Sequence, residues 1–103
     1  MSTLMNIIED ERDRLERLEK YYLTELSKFP KGYLSDKRIN GNVYSYRAFR
    51  EGGTVRTVYL GSVDSEEVQE LKNQIAERRK IQDLLKRARE NLKEAKRVLR
   101  AKR

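Results

Sequence analysis

The stretch KGYLSDKRINGNVYSYRAFREGGTVRTVYLG, residues 31–61, decides the fold. Its apolar and aromatic residues recur at every second position and it is rich in Tyr, Val, Thr and Ile, the pattern of strands with two unlike faces. Asn40-Gly41 inside it is the strongest short hairpin signal, because both residues accept the positive φ angles of a two-residue turn. Glu51-Gly52-Gly53 marks a second turn. The expectation is three antiparallel strands, at about 33–39, 42–50 and 54–60. A two-residue first turn sets Ile39 opposite Asn42 and Tyr33 near Ala48. A three-residue second turn sets Arg50 opposite Thr54 and Tyr46 opposite Val58. In that register one face collects Tyr33, Tyr44, Tyr46, Ala48, Val58 and Leu60, the better candidate to pack on helices. The other collects Leu34, Arg38, Val43, Arg47, Phe49, Val55, Thr57 and Tyr59.

On either side the period changes to that of helices. Leu4, Ile8, Leu15, Leu18, Tyr22 and Leu26 form one stripe over 3–28, interrupted by Glu11. Ser2 or Thr3 can cap this helix, and Phe29-Pro30 ends it, since the residue before proline disfavours helical backbone. After the sheet, Asp64 or Ser65 caps a long helix over 65–101 with Glu66 and Glu67 in its first turn, where the helix dipole favours carboxylates. Its seam runs through Val68, Leu71, Ile75, Ile81, Leu85, Ala88, Leu92, Ala95 and Leu99, broken at Arg78. The expectation is a single α+β domain over 1–103: a long antiparallel, coiled-coil-like helical hairpin with a small three-stranded antiparallel sheet inserted between the two helices.

At 1.5 Å per residue the first helix is about 39 Å long and the last about 55 Å. Laid side by side, the shorter runs out near residue 90 or 91, and the rest of the longer one overhangs. That end is where the charge lies. Residues 86–103 hold nine Lys or Arg against two acids, a local charge of +7 that equals the net charge of the whole chain. The other 85 residues sum to zero. A neutral body with a cationic helical end points to an anionic partner, nucleic acid above all.

Composition excludes several alternatives. Charged residues make up 40% and hydrophobic ones 37%, which suits two-faced helices better than a thick core. Cysteine and histidine are absent, which removes disulfides, thiolate nucleophiles, the usual general base and most zinc sites. No metal site, cofactor or small-molecule substrate is expected. The carboxylates of Asp10 and Asp13 have Arg14 and Arg17 at helical spacing, and Glu66, Glu67 and Glu70 stand in the first turns of the last helix, where its dipole favours them. Both are patterns of ordinary helix support rather than catalysis. Gly52-Gly53 precedes a strand and lacks the Gly-Lys-Ser/Thr of a phosphate loop. No apolar run reaches the roughly 20 residues of a bilayer span, and the N-terminus lacks the pattern of a signal peptide, so a bacterial cytoplasmic location is expected. The apolar face of the basic helix, mostly Leu92, Ala95, Val98 and Leu99 without Trp or Phe, makes a thin membrane anchor.

Five motifs carry a resemblance. They are an F-P-K-G-Y-L-S lead-in at 29–35, an I-N-G hairpin at 39–41, a Y-S-Y-R-A-F-R-E-G-G-T-V strand pair at 44–55, Y-L-G at 59–61 and a D-S-E-E-V helix start at 64–68. This half of the chain resembles a group of small uncharacterised proteins of Firmicutes and their mobile elements. The resemblance implies the helix–three strands–helix layout and brings no activity. A looser similarity runs to the arm-binding domains of phage-type integrases, small three-stranded sheets followed by a helix. This chain departs from them in its long first helix, its extended last helix and its lack of a catalytic domain.

The functional expectation is a non-enzymatic nucleic-acid-binding accessory protein of a phage or mobile element. Arg38, Arg47 and Tyr59 on one sheet face, and Lys86, Arg87, Arg89, Lys93, Lys96, Arg97 and Arg100 on the last helix, are its candidate contacts with DNA or RNA. Two alternatives stand beside it. One is a protein-directed inhibitor, such as an anti-CRISPR acting on a nucleoprotein nuclease. The other is a structural module that forms a homodimer through the Leu85–Leu92–Leu99 seam.

Overall fold

The computed structural model describes residues 3–101. In chain order it comprises α1 (Thr3–Ser27), β1 (Tyr33–Ile39), β2 (Asn42–Glu51), β3 (Thr54–Ser62) and α2 (Glu66–Arg100). The fold is α+β: two long helices flank, in sequence, a three-stranded antiparallel sheet of order β1-β2-β3. Ser2, one of the two expected caps of α1, lies outside the described residues. The chain divides into two compact units, one made of residues 29–78 and the other of α1 with α2 from residue 79 onward.

In the sheet unit the first hairpin is as expected. Ile39 pairs with Asn42 and Tyr33 with Ala48, around Asn40 at φ 51° and Gly41 at φ 81°. The second hairpin differs. Gly52 and Gly53 both take positive φ, 58° and 82°, so they close a two-residue turn and Glu51 pairs directly with Thr54. The expected three-residue turn is therefore one residue too long, and β3 slides by one position. Tyr46 faces Tyr59 rather than Val58, and Arg47 faces Val58. A bulge then leaves Leu60 without a partner, so that Ser45 faces Gly61 and Tyr44 faces Ser62.

α2 starts with Ser65 as its cap: the Val68 amide donates to Ser65 Oγ at 3.4 Å, and the Gln69 amide to the Ser65 carbonyl at 3.1 Å. Its first turns bury Val68 and Leu71. Arg47 and Leu60 share a groove with Glu67, Leu71 and Gln74, so the Arg47 face of the sheet turns toward α2. Ser45, on that same face, is fully buried and its hydroxyl donates to Asp36 Oδ1 at 2.7 Å. This reverses the expected packing, in which the face of Tyr44 and Tyr46 was to meet the helices.

In the helical unit α1 runs antiparallel to the second part of α2. Leu15, Ala88 and Leu92 form the buried centre, with Leu18 and Tyr22 packed against it. Glu19 meets Arg89 at 2.9 Å and Glu16 meets Lys96 at 3.9 Å, while Arg12 and Asp13 line a groove with Leu99 and Arg100. The expected overhang of basic helix is thus not found. α2 up to residue 78 belongs to the sheet unit, which leaves only its later turns to pair with α1. The unmatched turns are those of α1, where Leu4 and Ile7 are 62% and 58% exposed. The seam of Leu85 and Leu92 is buried within the chain rather than left bare, with Leu99 partly covered. Glu11, which interrupts the α1 stripe, accepts a hydrogen bond from Arg14 Nε at 2.9 Å, and this bond holds its carboxyl below the usual range.

Candidate functional site

Strand alternation and the observed register sort the sheet residues into two faces. The face turned away from α2 holds Tyr33, Ser35, Lys37 and Ile39 of β1, Tyr44, Tyr46, Ala48 and Arg50 of β2, and Val55, Thr57 and Tyr59 of β3. It contains no Asp or Glu, and its ionised side chains are Lys37 and Arg50. Four of its large apolar or aromatic side chains lie open to solvent: Tyr33, Ile39, Val55 and Tyr59. The Tyr59 ring stands 5.4 Å from that of Tyr46 and 6.2 Å from that of Tyr44, in tilted contacts favoured by the ring quadrupoles. Lys37 Nζ lies 4.9 Å from the centre of the Tyr46 ring.

The three sheet residues expected to act together do not. Tyr59 is on this open face. Arg38 and Arg47 share the opposite one, since Arg38 pairs with Val43 and Leu34 with Arg47. Arg47 is also engaged: its Nη1 donates to the Lys31 carbonyl at 2.9 Å and its guanidinium lies 4.5 Å from the centre of the Phe49 ring. Lys37 and Arg50 were missed. The signal that finds them is the first hairpin, which sets Lys37 opposite Tyr44, and strand alternation, which puts Arg50 on the face of Tyr44 and Tyr46. The two-residue second turn is what brings Tyr59 to the same face.

The helical candidates lie in the other unit, all seven of them exposed. Arg89 and Lys96 border the seam and pair with Glu19 and Glu16 of α1, and Arg97 pairs with Glu94. Lys86, Arg87, Lys93 and Arg100 have no ion pair with a described residue. Lys86, Lys93 and Arg100 recur at intervals of seven, so they form a row on one face of α2 about 21 Å long. Among the described residues no group of three or more Asp or Glu could hold a metal ion, and no helix is long and apolar enough to cross a membrane.

These features define an α+β helix–sheet–helix protein with an acid-free tyrosine face on its sheet and a cationic row on its last helix. A protein-family model described as a domain of unknown function (DUF6788) matches residues 8–70, more than half of the chain, and the chain belongs to that family. The match takes in most of α1, the whole sheet and the first turns of α2; the basic stretch lies beyond it. No curated protein and no solved structure matches the chain.

Proposed function

We propose that this is a non-enzymatic nucleic-acid-binding protein whose affinity comes chiefly from the basic face of α2. One observation carries the reading: among the described residues Lys86, Arg87, Lys93 and Arg100 make no ion pair, so Lys86, Lys93 and Arg100 form an exposed row, with Arg87 beside it, that outnumbers the neighbouring carboxylates of Glu90 and Glu94. Such a row gains free energy by displacing the counterions condensed on a phosphate backbone. Nucleic acid as partner implies action in the cytoplasm.

The test is a fluorescence-anisotropy titration of labelled duplex DNA and duplex RNA at several salt concentrations. With about four phosphates neutralised, log affinity falls against log salt with a slope of about −3.6, so that a change from 50 to 200 mM salt costs roughly a hundredfold. Replacing Lys86, Arg87, Lys93 and Arg100 together by Gln removes most of the binding and flattens the slope. Binding weaker than roughly 100 μM at 50 mM salt, or equal capture by anionic vesicles, contradicts the reading.

A further inference from the structure

We infer that the open face of the sheet is a base-stacking platform for single-stranded nucleic acid. The inference rests on nucleic acid being the partner, and it adds a second contact surface and the strand form that this surface takes. Tyr59 and Tyr33 are 57% and 56% exposed, and both stand, with the buried Ala48, on the face opposite that of Arg47. Tyr59 is held by contact with Tyr44 and Tyr46, so an arriving base meets a ring already fixed in place.

The charge on this face chooses the partner. The opposite face carries charges of both signs, with Asp36 and Glu51 among Arg38, Arg47 and Arg56. The open face carries Lys37 and Arg50 and no carboxylate. Cations beside bare rings match a chain of phosphates and flat bases. Bases inside a duplex have both faces occupied by their neighbours, so only an unpaired strand can use these rings.

The experiment compares a labelled 12-nucleotide single strand, as DNA and as RNA, with an abasic strand of the same length and with the duplex. It uses wild type, Tyr59→Ala, Tyr33→Ala and Tyr59→Phe, each checked for folding by circular dichroism. The base-bearing strand is expected to bind at least tenfold more tightly than the abasic one and to quench tyrosine fluorescence. Each alanine substitution is expected to weaken single-strand binding by roughly five- to 150-fold, with duplex binding unchanged and Tyr59→Phe close to wild type. Equal binding of base-bearing and abasic strands, untouched by Tyr59→Ala while the duplex still binds, overturns the platform and leaves the helical reading intact. Loss of both strand and duplex binding in the wild type overturns both. Self-association abolished by Tyr59→Ala, with nucleic-acid affinity unaltered, gives the face to a second copy of the chain and also overturns the platform.

Discussion

Arg78 stands where the apolar seam of α2 is broken, between Ile75 and Ile81. Its Nη1 donates to the Pro30 carbonyl at 3.0 Å and its Nη2 to the Gly32 carbonyl at 2.8 Å. Arg47 takes the Lys31 carbonyl between them. Three successive carbonyls of the segment leading into β1 are thus satisfied by two guanidinium groups, where a fully apolar seam would leave them without donors. Gly32 belongs to the same arrangement. Its φ is 111°, and a Cβ there would come within 2.3 Å of the Ala48 carbonyl oxygen, so no other residue fits without moving the backbone. Arg78→Met keeps the apolar stem and deletes both donors. It is expected to destabilise the protein by about 1.5–3 kcal/mol, the range for hydrogen bonds to a charged group. Arg78→Lys should restore only part of this, because an ammonium lacks the planar fork that reaches two carbonyls together. Urea denaturation of the three proteins measures the differences; a midpoint unchanged in Arg78→Met contradicts the structural role. Arg47 is tied to the backbone in the same way: its position is legible in the sequence, its engagement with the Lys31 carbonyl is not.

At the scale of elements, the two hairpins differ in how openly the sequence declares them. Asn40-Gly41 fixes both turn type and register, because asparagine and glycine together fit one turn only. Glu51-Gly52-Gly53 admits a two- or a three-residue loop, and local chemistry does not choose. The choice comes from the rest of β3, where Gly61 must reach Ser45 and Ser62 must reach Tyr44 beyond the bulge. The existence and starts of the three strands were therefore readable, while β2 and β3 run on to Glu51 and Ser62 and the cap of α2, open between Asp64 and Ser65, falls to Ser65. The faces were not readable, since a one-residue slip in β3 moved Tyr59 across the sheet. The turn assignment has its own test. Gly52 has φ 58°, which asparagine tolerates, so Gly52→Asn recreates the first hairpin's turn and should leave stability unchanged or raise it by a few tenths of a kcal/mol. Gly53 has φ 82°, so Gly53→Ala should cost about 1–2 kcal/mol. Thermal unfolding of both variants checks the pair. Equal losses at the two positions would mean that the turn is not the two-residue type.

At the scale of the whole chain, charge is the plainest statement in the sequence, and folding changes what it means. The stretch 86–103 carries the entire net charge of +7, yet its helix lies beside α1, whose Glu16 and Glu19 meet Lys96 and Arg89. Length arithmetic missed this because it began the pairing of helices at the start of α2, whereas the first turns of α2 serve the sheet unit. These two carboxylates therefore act as internal competitors for any external polyanion. Replacing both by Gln raises the net charge from +7 to +9 and frees two cations bordering the row of Lys86, Lys93 and Arg100. Each exposed pair contributes about 0.2–1 kcal/mol to folding, so Glu16→Gln/Glu19→Gln should lower the unfolding midpoint slightly. Affinity for duplex nucleic acid should move the other way. With about six phosphates neutralised in place of four, the salt slope steepens from about −3.6 to about −5.4, and binding at 50 mM salt tightens. A variant less stable and yet more avid separates ion pairing inside the protein from ion pairing with a ligand. If the loss of stability appears without the gain in affinity or slope, the polyanion does not sit on this side of α2.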